Sequence, residues 1–121
     1  MGQYEVRVDK VKNRLYIMLQ GFLTDAETKA ASEKIMAGIQ SLKPSFDVVN
    51  DISTFKPATP QGAEDVKRTQ SFAKERGVRR VMRVADENAV SAMQLARKSK
   101  EVGYQADIVA SVAEADKALD S

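Results

Sequence analysis

Phe46-Asp47-Val48-Val49-Asn50-Asp51-Ile52 is the stretch whose reading decides the fold. Its body is mostly apolar, it follows Pro44, and it precedes the one long turn-rich stretch of the chain, Ser53-Thr54-Phe55-Lys56-Pro57-Ala58-Thr59-Pro60-Gln61-Gly62. A short apolar run between breakers reads as a strand covered on both faces, and so as a central strand. On its N-terminal side, Pro44 closes a helical pattern in which Ala31, Ile35, Ile39 and Leu42 recur at steps of four, four and three. Such a stripe must rest on a sheet. The helix opens at Thr24-Asp25-Ala26-Glu27, whose spacing lets the Thr hydroxyl and the Glu carboxylate each satisfy an orphan amide. Before it, Tyr4-Glu5-Val6-Arg7-Val8-Asp9 alternates with period two and Leu15-Tyr16-Ile17-Met18-Leu19 is a more continuous apolar run, so the two predict a hairpin turning at Val11-Lys12-Asn13-Arg14.

On the C-terminal side, Thr59-Pro60 matches a cap residue followed by proline at the first helical position, and a second helix is expected from there to Gly77. Val78 to Val84 then reads as a strand, Asn88 to Val102 as a third helix closed by Gly103, and Ala106 to Ala110 as the last strand. A fourth helix opens at Ser111-Val112-Ala113-Glu114, a second capping box, and ends near Leu119. The order β-β-α-β-α-β-α-β-α uses helices as crossovers, which make neighbouring strands parallel, and only the first strand arrives by a hairpin. The expectation is an α/β fold: one open mixed sheet of about five strands with about four helices, a single domain over residues 1–121. Ile17, Leu19, Ile35, Ile39, Val48, Val81, Val84 and Ile108 are the expected core.

Composition narrows the chemistry. With 121 residues, 43% apolar and 30% charged, the chain suits one globular domain, and it has no run of about 18 apolar residues to cross a membrane. It contains no cysteine and no histidine, which excludes disulfides, thiolate or imidazole metal sites, cysteine nucleophiles and His-dependent triads. Its start, Met1-Gly2-Gln3-Tyr4-Glu5, has no basic segment followed by an apolar one, so the expected location is the cytoplasm. The glycines form neither a Walker loop nor a dinucleotide fingerprint, and no nucleophile, base and oxyanion site is assembled. The chain therefore reads as a non-enzymatic module without cofactor or metal. The net charge is +2, but it is unevenly placed: residues 67–100 hold most of the arginines and few acids. Phe72 is the only aromatic there, too few to stack bases, so nucleic acid is not the expected partner.

Several pieces together resemble the STAS domain, the family of the anti-sigma factor antagonists and SpoIIAA-like proteins. They are Leu19-Gln20-Gly21-Phe22-Leu23-Thr24, the strand end Asp51-Ile52-Ser53-Thr54-Phe55, Val81-Met82-Arg83-Val84-Ala85, Asn88-Ala89-Val90, and the closing Glu114-Ala115-Asp116-Lys117-Ala118-Leu119. The resemblance implies a regulatory module whose partner is a protein, an anti-sigma factor or kinase. Antagonists of the family carry an Asp-Ser-Ser-Gly motif at the start of the second helix, and the partner kinase phosphorylates its second Ser. Here Pro57-Ala58-Thr59-Pro60 stands there, so the hydroxyl position falls on Thr59 while the Asp, first Ser and Gly are replaced. Thr59 is thus a candidate phosphoacceptor, but a Thr before Pro is a good helix cap, and the cap is the stronger reading.

The partner-facing residues expected from this reading are Phe55, Lys56, Thr59, Gln61, Lys67 and Arg68. The alternative is a SpoIIAA-like domain whose space between sheet and helices binds a small hydrophobic or anionic ligand, a lipid or nucleotide. Asp51 and Arg83 are the candidate ligand-binding pair, because Arg83 must face the same way as Val81 and a buried cation needs an acidic partner or an anion. Arg83 at the sheet rim, in water, is the other reading.

Overall fold

The computed structural model describes residues 2–55, 60–84 and 107–120. Five strands, β1 (Gln3–Asp9), β2 (Arg14–Gly21), β3 (Asp47–Phe55), β4 (Arg80–Val84) and β5 (Asp107–Val109), form one sheet in the order β1-β2-β3-β4-β5. β1 runs antiparallel to β2, and every other neighbouring pair is parallel. The central position expected of residues 46–52 is the one β3 occupies. Among the described residues the helices are α1 (Asp25–Gln40), α2 (Pro60–Glu75) and α3 (Val112–Asp120). The helix expected at Asn88–Val102 lies outside the described residues.

Period-two alternation along the strands sorts the core into two layers. Leu15, Ile17, Leu19, Val48, Ile52 and Val81 pack with Ala31, Ile35 and Ile39 of α1 and Ala73 of α2. On the opposite face Val49, Met82 and Val84 pack with Ala115 and Leu119 of α3. β3 therefore buries consecutive residues, Val48 and Val49, because both of its faces are covered.

Local chemistry sets the element ends. Thr24 caps α1: its hydroxyl accepts from the Glu27 amide at 3.2 Å while the Glu27 carboxylate accepts from the Thr24 amide at 3.0 Å. At the end of α2, Gly77 adopts φ +86°, and the Val78 amide reaches back to the Ala73 carbonyl at 3.1 Å, a turn that a side chain at Gly77 would strain. Asp9 closes the β1–β2 turn by accepting from the amides of Val11 and Lys12, both at 3.1 Å.

Three expectations need correction. β3 does not stop at Ile52, because Ser53-Thr54-Phe55 continue it, with Thr54 and Phe55 facing Gln20 and Gly21 after a register shift between Met18 and Gln20. Thr and Phe favour extended backbone, and the neighbouring strand was long enough to pair them. Ile108 is 37% exposed, because β5 is a three-residue edge strand. Arg83 is 2% exposed and so does not reach the sheet rim.

Candidate functional site

The carboxyl ends of β2 and β3 lie side by side, with Gly21 facing Phe55, and each strand feeds a helix. The β2 side carries Phe22, a large apolar side chain left 50% exposed, followed by the buried Leu23 and the cap Thr24. This segment is held closely, since a side chain on Gly2 would collide with the Phe22 carbonyl oxygen. The β3 side ends at Phe55, and α2 begins at Pro60.

Of the residues expected to meet a partner, Phe55 is the last of β3 and Gln61 the second of α2, while Lys56 and Thr59 lie outside the described residues. Lys67 and Arg68 stand about 10 to 12 Å along α2 from its start, at about 1.5 Å per residue. Lys67 is half-buried and Arg68 exposed, with its guanidinium 3.4 Å from the Asp65 carboxylate. Arg68 therefore presents its charge from a carboxylate-anchored position. Phe22 is the residue that the sequence reading missed. A large apolar residue between a glycine and a capping box leads straight into a turn, and that was the available signal.

The space between the sheet and the pair α1/α2 is small. The cavity there is about 50 Å³, lined by core residues together with Thr28, Ser32, Asn50, Thr69 and Gln70. The Asn50 Oδ1 is buried in it without a hydrogen-bond partner among the described residues. A volume of this size suits a few waters, and an orphan acceptor suits one of them. Sites for drug-sized molecules run to roughly 300 Å³ and more, so this cavity among the described residues is smaller than a lipid or nucleotide needs.

Arg83 faces this layer, in register with Asn50. Asp51 is in register with Met18 and Val84 and faces the other way. Alternation therefore sends the two members of the expected ligand pair to opposite faces of the sheet. On its own face Asp51 lines a separate cleft of about 220 Å³ with Glu5, Arg7, Tyr16, Met18 and Val49, in which the Arg7 guanidinium sits 4.1 Å from the Tyr16 ring centre.

A second charged cluster gathers at the amino ends of the parallel strands. Arg14, 3% exposed, donates to Asp116 at 2.6 Å and to Asp120 at 2.8 Å, and the Tyr16 hydroxyl donates to Asp116 at 2.6 Å. Burial opposes the Arg14 charge, but the hydrogen bonds to Asp120, Tyr16 and Asp116 outweigh it and hold the guanidinium protonated. Burial, reinforced by the bond to Asp116, pushes the Tyr16 hydroxyl up. The bond from Arg14 draws Asp120 below the usual carboxylate value. Beside them Arg79 grips the buried Asp47 with two bonds, at 2.8 and 2.6 Å. These contacts fasten α3 and the β4 entry to the sheet, and every charge in them has a partner.

No protein-family model and no curated protein matches the sequence. Solved structures do match the fold. An uncharacterized protein from Shewanella loihica with a SpoIIAA-like fold superposes with a TM-score of 0.73 at 11% identity, over 98% of this chain and 95% of that one. An anti-sigma factor antagonist from Mycobacterium paratuberculosis superposes with a TM-score of 0.63 at 17% identity, over 98% of this chain and 96% of that one.

Proposed function

Starting from the SpoIIAA-like fold that these superpositions show, we propose that the chain is a regulatory protein-interaction module, whose partner docks at the carboxyl end of β2 and β3 and along the outer side of α2. The half-exposed Phe22, one residue beyond the β2 end that pairs with Phe55, carries this reading, because an apolar side chain left exposed at the carboxyl end of the sheet is the kind of anchor a docking patch uses. Phe55, Lys56, Gln61, Lys67 and Arg68 supply its remaining contacts, and the basic pair on α2 suits an acidic partner surface. The antagonist likeness makes an anti-sigma factor or kinase the partner class to test first.

By the sequence resemblance, counting from Phe55, Thr59 takes the place of the antagonists' phosphoacceptor. It precedes Pro60, the first residue of α2, so a phosphate on it would meet the free amides and favourable dipole of a helix start. A helix cap is the simpler reading of a Thr before Pro60 in the sequence, and the loss of the Asp-Ser-Ser-Gly motif favours a constitutive module over a switch.

Capture of partners from the native cytosol with the wild type, Phe22→Ala and Arg68→Glu tests the docking surface. Both substitutions should lower recovery of the same protein at least tenfold while thermal unfolding stays near that of the wild type. Undiminished recovery with both variants would move the interface elsewhere. With the recovered partner, Thr59→Ala, Thr59→Ser and Thr59→Glu should bind alike, and Thr59→Ala alone should lose about 0.5–2 kcal/mol of stability. Selective loss of binding by Thr59→Glu, with phosphate on Thr59 in cells, would establish the switch instead.

A further inference from the structure

We infer that β1 is a self-complementary edge by which two copies of this chain pair, antiparallel about a two-fold axis at Val6, into a continuous sheet. The inner side of β1 is paired with β2 along its whole length, and its outer side pairs with nothing among the described residues. An unpaired edge of seven residues offers about 24 Å of backbone donors and acceptors, a ready template for another strand.

The side chains specify which strand. In Gln3-Tyr4-Glu5-Val6-Arg7-Val8-Asp9, an antiparallel pairing centred on Val6 sets Glu5 opposite Arg7 of the other copy and Arg7 opposite its Glu5. It also sets Tyr4 opposite Val8 and Gln3 opposite Asp9, each pair again occurring twice. All opposed residues share a face, as an antiparallel ladder requires. On the face toward α1, the partly buried Tyr4, Val6 and Val8 already pack against the core, and a second copy would extend that apolar row. On the other face the exposed Glu5 and Arg7 would form two reciprocal ion pairs. Arg7 is held for this by its stack on Tyr16.

Neighbouring registers are penalised. Moving the axis to Glu5 opposes two glutamates, and moving it to Arg7 opposes two arginines. The pairing centred on Val6 instead sets Glu5 against Arg7 and Gln3 against Asp9, with no like charges opposed. Such an interface is isologous and closes as a dimer, which leaves the far edge at β5 outside it.

Sedimentation of the full chain over a range of concentrations should show a monomer–dimer equilibrium whose heavier species has twice the 13.3 kDa chain mass. Glu5→Arg and Arg7→Glu should each weaken the dimer about tenfold, since each converts both reciprocal pairs to like charges. The combined E5R/R7E chain should recover it, and a mixture of the two single variants should form a mixed dimer. A monomer at every concentration overturns the inference, as does a dimer indifferent to both reversals or one that E5R/R7E fails to restore. Partner capture through Phe22 and Arg68 does not depend on this edge, so either result can stand without the other.

Discussion

Arg14 is the residue on which the attachment of α3 to the sheet depends. Its guanidinium is buried, but the carboxylates it joins are 31% and 48% exposed, so part of their charge remains with water. Removing a buried partner costs about 3–5 kcal/mol, and solvent at the acidic ends brings Arg14→Ala down to about 2–3 kcal/mol, measurable by urea unfolding. Asp120 adds a dependence on pH. Its folded value lies below that of the unfolded chain, so its contribution is present above about pH 4 and is lost as pH falls through the lower, folded value. The melting-temperature gap between wild type and Asp120→Asn should therefore be open at neutral pH and close in acid. A gap that widened in acid would reverse the assignment. The sequence held a trace of this cluster: Asp116 and Asp120 are four apart and share a helical face that needs a cation. That the cation is Arg14, some hundred residues earlier, depends on the crossing of α3 over the sheet, which no local pattern encodes.

At the scale of elements, α1 was the most legible, because its capping box, its stripe and its closing proline all agree. Ile35 and Ile39 are 8% and 2% exposed, so truncating either to Ala should cost about 2–5 kcal/mol. The same helix contains Gly38, where an added Cβ would lie 2.8 Å from the Leu15 Cδ1 and 3.2 Å from the Val8 Cγ2. Alanine there gains about 1 kcal/mol of helix propensity, yet it forces the end of Leu15 to swing toward the cavity it lines and Val8 to give as well, on the face by which α1 packs on the sheet. Gly38→Ala should thus be net destabilising by about 1–2 kcal/mol in chemical unfolding, and a stabilised variant would show that α1 can lift off the sheet freely. Strand ends were less legible than helix ends. Ser53-Thr54-Phe55 carry turn-like and strand-like residues together, and pairing with Gln20 and Gly21 decides between them. The Asp51–Arg83 pair failed for a related reason: adjacent register rows on neighbouring strands face opposite ways, and the sequence does not print the register.

Over the whole molecule, the charge fastening lies at the amino ends of the parallel strands, whereas the half-exposed Phe22 and the start of α2 lie at the opposite end. The proposed docking surface is thereby set apart from the contacts that fasten α3. The order of elements along the chain and the covering of β3 were readable from hydrophobic pattern, but the fate of Phe22 was not, because burial of a loop residue depends on what the fold leaves beside it. The most direct measurement is photo-crosslinking in the native cytosol from a reactive residue placed in turn at positions 22, 61, 68 and 43. Lys43 is exposed and adjoins Asn13 at the amino end of β2, away from the proposed surface. The docking account predicts one common protein adduct from positions 22, 61 and 68 and none from 43, whereas an adduct from 43 with none from the other three would contradict it.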